Sequence, residues 1–224
     1  MITDLALLRL LQLVSPGLPI GMYSYSQGLE QAVEAGWVAG ADEAKSWIGA
    51  ALERCQARVD LPLLARLYDA WLRSDTASVE YWNAVLLAFR ETSELKSEDM
   101  QTGGALVKLL TRLESEYDLD LRGQGPLTLA AAFAYASVRM AIPRRVAMIG
   151  YAWSWLENQV LCAVKLVPLG QVAGQRLLMA LAAEIPERVD FASTLADDDL
   201  GGSAFGLALA SSRHETQYSR LFRS

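Results

Sequence analysis

The sequence contains very few of the residues on which catalytic and metal sites usually depend. Its 224 residues include a single histidine, His214, and only two cysteines, Cys55 and Cys162. A closed metal site needs about four nitrogen, sulfur or oxygen ligands, and general acid–base catalysis most often uses histidine. No CxxC, HxxxH or phosphate-binding loop ending in Gly-Lys-Ser/Thr occurs. The sequence therefore predicts a protein that is not an enzyme and that binds neither a metal nor a nucleotide itself.

The sequence also lacks an excess of positive charge, and it lacks long hydrophobic runs. With 20 basic and 26 acidic residues its net charge is −6, the wrong sign for a protein that binds nucleic acid. The leucine-rich start carries Asp4 and Arg9 and lacks the basic leader of a signal peptide. The uncharged, alanine-rich run 123–138 contains Pro126 and falls short of the roughly 20 apolar residues that span a membrane. We therefore expect a cytoplasmic protein with no membrane segment.

Two cysteines are too few for the disulfide framework of a small secreted protein. Both are predicted to be reduced core residues, because free cysteine usually packs as a small hydrophobic side chain.

Apolar residues recur at the helical spacing of three to four along most of the chain, and no stretch alternates as a strand would. This pattern predicts an all-α fold, a single-domain helical bundle of roughly eight to ten helices. The predicted helices are 4–14, 24–35, 42–59, 61–73, 79–95, 99–116, 127–140, 144–162, 171–185 and 187–195.

Several helix ends have sequence signals. Ser24 and Gln27 match a capping box, and Asp42 is a predicted N-cap of the third helix. Pro62 is tolerated in the first turn of the fourth helix. The pair Gly103-Gly104 lies inside a helical pattern, which favours a close approach of two helices. The acidic, glycine-containing stretch 196–203 is predicted to be a mobile loop.

Some polar residues allow two interpretations. Glu157, Asn158 and Gln159 interrupt an apolar helix and lie either on its solvent face or along a polar interface or passage. Lys165, between valines and leucines, either extends its ammonium to solvent or offers it to an acidic partner.

The last twelve residues, 213–224, reverse the sign of the chain, with three arginines against Glu215. We call this segment the tail. Arginine with Tyr218, Leu221 and Phe222 is typical of interface hot spots. The tail therefore either orders on a partner or docks onto the chain's own acidic loop. His214 and Glu215 could supply two metal ligands, but a polar hinge in a binding tail is the simpler interpretation.

Four blocks in order resemble one family. SPGLPIGMYSYSQGLEQAVEAGWV (15–38) is similar to the N-terminal signature of the urease accessory protein UreF. RETSELKSED (90–99) resembles the central segment of that family, VKLVPLGQ (164–171) a later one, and RHETQYSRLFRS (213–224) its ending. The resemblance runs through nearly the whole chain.

The resemblance implies an all-α homodimer that works in the cytoplasm with UreD (also called UreH), the GTPase UreG and the urease apoprotein. In that picture UreF bridges UreD and UreG and couples GTP hydrolysis to nickel delivery, while the partners handle both nickel and GTP. One arginine of the tail could act on the GTPase as an arginine finger.

We predict that the first loop, 15–30, and the tail form the partner-facing surface. The predicted partner-binding residues are Tyr23, Tyr25, Glu30, Lys165, Arg213, His214, Glu215, Tyr218, Arg220, Leu221, Phe222 and Arg223.

Two alternatives belong to other classes. A small helical hydrolase could use carboxylates such as Glu30 and Glu94, although no spaced acid–base pair with an orienting group is evident. A direct nickel-binding protein would show a tight site in equilibrium metal binding.

Overall fold

Helices make up nearly all the regular structure of the described residues, 2–113 and 125–224 of a computed structural model. No strand occurs in these two ranges, and the predicted all-α fold is confirmed. A π-helix, Leu52–Asp60, joins α3 to α4, and 3-10 turns occupy Met22–Ser24 and Asp197–Asp199. The α-helices are α1 (Asp4–Leu13), α2 (Leu29–Glu34), α3 (Ala41–Ala51), α4 (Leu61–Leu72), α5 (Thr76–Ala88), α6 (Ser93–Arg112), α7 (Leu129–Arg139), α8 (Arg144–Leu166), α9 (Gln171–Ala182), α10 (Ile185–Ala192) and α11 (Phe205–His214).

The centre of the domain is the alanine-rich helix α7. All of its residues from 130 to 137 are buried, and α4 and α6 pack closely against it. The small alanine side chains allow this close packing, because the distance between two helix axes depends on the size of the side chains at the contact. The 23-residue helix α8 lies beside α7 and also contacts α2, α4, α9 and α10. Most of the other elements are therefore positioned by α7 and α8.

The predicted start of the second helix is wrong. Ser24 lies in a 3-10 turn, and α2 begins after Gly28, which has the left-handed conformation. The side chain of Gln27 does not return to the helix end, because it bonds Glu98 and Trp155 instead. The amide of Gln27 therefore makes tertiary hydrogen bonds instead of the local one that the capping-box prediction requires.

Two further boundaries differ from the predictions. The chain stays helical from Ala41 to Leu72, because the π-helix continues α3 into α4 without a break, and Asp42 does not cap α3. The break predicted between 95 and 99 lies at 89–92, where Thr92 accepts the backbone N–H of Leu95 and starts α6. The predicted end of that helix at 116 is outside the described residues.

The interpretation of Gly103 is confirmed and that of Gly104 is not. A Cβ at Gly103 would lie 2.2 Å from the carbonyl oxygen of Leu127, so the start of α7 rests directly on α6. A Cβ at Gly104 would meet nothing within 4 Å.

The acidic loop 196–203 makes defined contacts with the π-helix and α4. Arg66 pairs with Asp197, and Gly201 donates its N–H to the carbonyl of Arg58. The mobility of this loop remains a prediction. Cys55 and Cys162 are both unpaired, and Cys162 is buried. Among the described helices, none is long and apolar enough to cross a membrane.

Candidate partner-binding surface

The tail folds back against the first loop. After α11 ends at His214, the backbone N–H of Ser26 donates to the carbonyl of Ser224, at 2.8 Å. The N–H of Arg223 donates to the carbonyl of Ser24, also at 2.8 Å. Residues that are nearly 200 positions apart in sequence are thus paired through their backbones. The two segments predicted to face partners therefore lie side by side.

A buried carboxylate on α2 holds the backbone of the tail. The two oxygens of Glu30 accept the N–H groups of Leu221, at 2.6 Å, and Phe222, at 2.8 Å. Glu30 is buried, and so is the ring of Phe222. Hydrogen bonds to an ionised acceptor are about twice as strong as neutral ones. Glu30 therefore works as an anchor for the tail.

The only histidine of the sequence lies between two carboxylates. His214 is fully buried, with Nδ1 2.8 Å from Glu94 and Nε2 3.3 Å from Glu30. A carboxylate only accepts, so both contacts are hydrogen bonds only when the imidazole carries a proton on each nitrogen. His214 therefore links α2, α6 and the end of α11.

Arg220 completes this arrangement from the tail. Its guanidinium donates to Glu94 at 2.9 Å and to the carbonyls of Glu215 and Gln217. We call Glu30, Glu94, His214 and Arg220, with the two tail N–H groups, the tail clasp. Every member is bonded to another, so the clasp fixes the path of the tail.

A third carboxylate lies under the last residue of the tail. Glu98 accepts from Gln27 Nε2 at 2.8 Å and from Ser224 Oγ at 3.0 Å. The other end of the Gln27 amide accepts the indole N–H of Trp155 on α8. Burial raises the pKa of Glu98 to about 7. The tail is therefore connected through Glu98 to the interior of the helical bundle.

The first loop is held in the same way. The hydroxyl of Tyr25 donates to Gln101, and Asn158 on α8 donates to the carbonyl of Tyr25. Tyr23 donates to Glu157 at 3.1 Å, and burial, followed by that carboxylate, raises the pKa of Tyr23. Asn158 and Gln159 are both buried, so the solvent-face interpretation is wrong for them.

The predicted partner-binding residues divide into two groups. Tyr25, Glu30, His214 and Phe222 are buried, and Tyr23 is half-buried. The remaining predicted residues are exposed: Lys165, Arg213, Glu215, Tyr218, Arg220, Leu221 and Arg223. The ammonium of Lys165 lies 5.5 Å from the centre of the Phe222 ring, which adds Lys165 to the same surface.

The acids that receive the tail differ from the predicted ones. The tail bonds Glu30, Glu94 and Glu98 rather than the acidic loop near 197–199. Glu98, Ser26 and Ser224 were not among the predicted site residues. The spacing of Glu94 and Glu98, four residues apart on one helix face, is the sequence signal that could have found the receiving surface.

The arrangement is structural rather than catalytic. Glu30 and Glu94 are occupied by His214 and by tail donors, so neither is free to act as the base of a hydrolase. In the described part of the chain, no three His, Cys, Asp or Glu side chains are grouped to hold a metal ion. What the surface offers is exposed aromatic, apolar and basic side chains on a fixed segment.

A second charge network lies inside the bundle. Arg90 donates to both oxygens of Asp60, at 2.5 and 3.2 Å, and to Asp99 at 2.8 Å. The other oxygen of Asp99 accepts the N–H of Leu129, the first residue of α7. We call Asp60, Arg90 and Asp99 the interior triad. It ties the π-helix, α6 and α7 together.

Comparison with known proteins gives one consistent result. The UreF family model matches residues 38–182. The chain is 50% identical to the urease accessory protein UreF of Alkalilimnicola ehrlichii, covering 98% of this chain and 96% of that protein. It is 49% identical to the protein of the same name from Pseudomonas putida (strain KT2440), over 99% of both chains. The protein of that name from Pseudoalteromonas translucida is 45% identical over 99% of this chain and 96% of its own length.

Proposed function

The chain belongs to the UreF family of urease accessory proteins, which are not enzymes, and from this premise we propose that it bridges UreD and the GTPase UreG. In this role it couples GTP hydrolysis to nickel delivery into the urease apoprotein. Its partners, rather than this chain, bind the nickel and the GTP. We extend the proposal to a cytoplasmic homodimer, as the resemblance implies.

The observation that carries the proposal is the exposed half of the tail. Tyr218 is fully exposed and Leu221 is 66% exposed, although both belong to a segment whose backbone is bonded to buried groups. Because the backbone of this segment is already ordered, covering its side chains with a partner costs less conformational entropy than binding a disordered tail would. Tyrosine and arginine are also enriched among interface hot spots. These features support a binding surface that is already formed before the partner arrives.

The buried half of the predicted site has a different role in this proposal. Glu30, His214 and Phe222 hold the tail in place and do not touch the partner, because they are covered by the chain itself. The direct contacts are then Tyr218, Leu221 and Arg223 of the tail, together with Lys165 beside Phe222.

The test is co-purification of the full chain with UreD and UreG, with complex size and urease activation measured together. We expect Tyr218→Ser combined with Leu221→Ser to weaken the complex at least about tenfold, since hot-spot truncations commonly cost 2 kcal/mol or more. A matched control is Val172→Ser with Met179→Ser, two similarly exposed apolar residues on α9.

Point variants are preferred to deletion of 213–224, because deletion removes the fully buried His214 and disturbs the fold. Loss of binding in the tail variant with an unchanged control supports the tail assignment. Equal losses in both variants, or none in the tail variant, would contradict it. If the unmodified chain itself bound neither UreD nor UreG, the proposed bridging role would be wrong.

Stimulation of the GTPase by an arginine of the tail stays a separate proposal. Arg220 already donates to Glu94 and to two tail carbonyls, whereas Arg223 is exposed at the edge of the tail. If Arg223 contributes to the transition state, Arg223→Ala should reduce GTP hydrolysis by UreG in the assembled complex far more than it weakens the complex itself. Unchanged hydrolysis in an intact complex would leave a purely structural role.

A further inference from the structure

A cavity of about 70 Å³ with mixed polar and apolar walls lies between the π-helix, α6 and α8. Its wall combines apolar side chains such as Val59 and Leu207 with Gln56, Glu98 and all three members of the interior triad. A cavity needs about 10–15 Å³ by this measure to hold one water molecule. The space therefore accommodates an ion together with a few waters.

One side-chain oxygen in the cavity wall has no hydrogen-bond partner among the described residues. Gln56, on the π-helix, is 5% exposed, and its Oε1 has no hydrogen bond to any described residue. Leaving a buried acceptor unsatisfied costs about 1–3 kcal/mol, so native structures rarely leave one without a protein, water or ion partner. The position of Gln56 on the cavity wall indicates that the missing partner occupies the cavity and supplies positive charge or a hydrogen-bond donor.

The charges around the cavity point to a cation. Asp60 and Asp99 are both buried and share Arg90 as their cationic partner, which leaves the interior triad with an excess of one negative charge. An uncompensated buried charge costs several kcal/mol. Burial, and then the charges of Asp60 and Asp99, raise the pKa of the adjacent Tyr151. The N–H of Leu129 offsets part of this field at Asp99.

The ion expected here is monovalent. The oxygens of Asp60 and Asp99 are taken by Arg90 and Leu129, and both oxygens of Glu98 are taken by Gln27 and Ser224. Divalent metals require several directly ligating carboxylates or imidazoles, and no such group of three is found among the described residues. A monovalent cation accepts amide and hydroxyl oxygens and water, and it balances a single excess charge.

We propose that this cavity binds a small monovalent cation, held by the amide oxygen of Gln56 and by the negative field of Asp60 and Asp99. Ammonium and potassium share the required size and charge. Ammonium satisfies Gln56 by donating a hydrogen bond, and potassium does so by direct coordination.

The test is thermal unfolding of the full chain in chloride salts at equal ionic strength and fixed pH. Ammonium or potassium should raise Tm above its value in tetramethylammonium chloride, because the methyl groups of that ion neither donate a hydrogen bond to an amide oxygen nor allow close coordination by it. When the ion exceeds its Kd about fivefold, the expected rise is about 2–4 °C. If ammonium acts and potassium does not, hydrogen-bond donation selects the ion; equal effects indicate selection by charge and size.

Gln56 variants make the test specific. Gln56→Met removes the acceptor at similar volume and should abolish the ion-specific rise, while Gln56→Glu should lower the half-saturating concentration because it adds negative charge. The matched control is Gln175→Met, on the exposed side of α9, which should leave the rise unchanged. If Gln56→Met does not fold, Gln56→Glu still decides the question.

NMR with ¹⁵N-labelled ammonium provides a direct readout, as bound ammonium protons should show contacts to cavity residues such as Val59 and Leu207. Identical Tm values in all three salts, with no bound ammonium signal, would overturn the proposal and leave a cavity filled by water. A rise that persists in both Gln56 variants at the wild-type concentration would overturn it as well.

Discussion

The interior triad and the tail clasp use the same chemistry for different purposes. In each, two carboxylates flank one nitrogen-containing side chain, Arg90 in the triad and His214 in the clasp. The remaining acceptor sites of the triad are filled from the core, by the N–H of Leu129 at the start of α7. Those of the clasp are filled by the tail itself.

We infer from this difference that the triad stabilises the whole fold, whereas the clasp only holds the tail on the surface. Loss of the triad leaves buried carboxylates between helices that cannot separate without unfolding the domain. Loss of one donor or acceptor in the clasp can be relieved by local release of a short terminal segment. The comparison therefore predicts a global response in the first case and a local response in the second.

The largest effect is expected from Arg90→Met. Asp60 and Asp99 would stay buried without their shared cation, and breaking a buried pair in this way costs about 3–5 kcal/mol. Denaturant unfolding measures the loss as a lower midpoint with a similar slope.

The control for that variant is Arg145→Met. Arg145 pairs with Asp190 on the surface, where both side chains are more than half exposed, so the expected loss is small compared with that of Arg90→Met. Similar losses in the two variants would show that the triad is not a special feature of the core.

The next effect concerns pH and the carboxyl of Glu98, which lies between the core and the tail. Its pKa is about 7 in the folded chain against an ordinary value of 4.5, so the folded state retains a proton that the unfolded state has released. The free energy of unfolding should therefore be highest below about pH 4.5 as far as Glu98 contributes, and fall by about 3 kcal/mol by pH 7.

Glu98→Gln isolates this contribution, because glutamine resembles the protonated carboxyl and does not titrate. The difference in unfolding free energy between wild type and variant should change across that pH range and stay flat above it. A difference independent of pH would mean that the pKa of Glu98 is the same in the folded and unfolded states.

A smaller effect disturbs the triad through geometry alone. Gly103 lets α6 approach the start of α7, where Asp99 accepts the N–H of Leu129. In Gly103→Ala the new Cβ meets backbone atoms of Leu127 and Thr128, which cannot rotate away, so stability should fall by about 1–3 kcal/mol.

Gly104→Ala is the matched variant one residue later. It adds the same atom to the same helix in open space and should raise stability by about 0.5–1 kcal/mol, because alanine is the better helix former. Thermal unfolding of the pair should give shifts of opposite sign. Two shifts of the same sign would contradict the close approach at Gly103.

Sequence reasoning found the helices but not their junctions. The spacing of apolar residues continues from α5 across Phe89 to Leu95, which hid the break that Thr92 makes by capping α6. Nothing in the local pattern distinguishes the π-helix of Leu52–Asp60 from an α-helix. Such features depend on contacts between distant segments, which periodicity does not contain.

The sequence predicted which residues of the tail would form the candidate surface, but not which side chains would hold the tail in place. The charge reversal and aromatic residues of the tail were visible in the sequence, and the resemblance to UreF pointed to the first loop. Glu30 and Glu94, which receive the tail, are far apart in sequence from each other and from the tail. Their meeting depends on the packing of α2, α6 and α11, so the spacing of Glu94 and Glu98 could have indicated an acidic face on α6 but not its pairing with Glu30.

The smallest and most local effect is expected from Glu30→Gln, which tests the clasp against the triad. The amide would offer one acceptor where the carboxylate offers two, leaving either Leu221 or Phe222 with an unpaired N–H. Amide hydrogen exchange at these two residues should accelerate about tenfold or more, corresponding to a local loss of about 1.4 kcal/mol, while the global midpoint shifts less than in Arg90→Met. Glu157→Gln, which changes the half-buried acceptor of Tyr23, should leave these tail amides unaffected. Unchanged exchange in Glu30→Gln would show that Glu30 does not anchor the tail. A loss of global stability as large as that of Arg90→Met would show that the clasp belongs to the core and that the two networks do not differ in the way proposed.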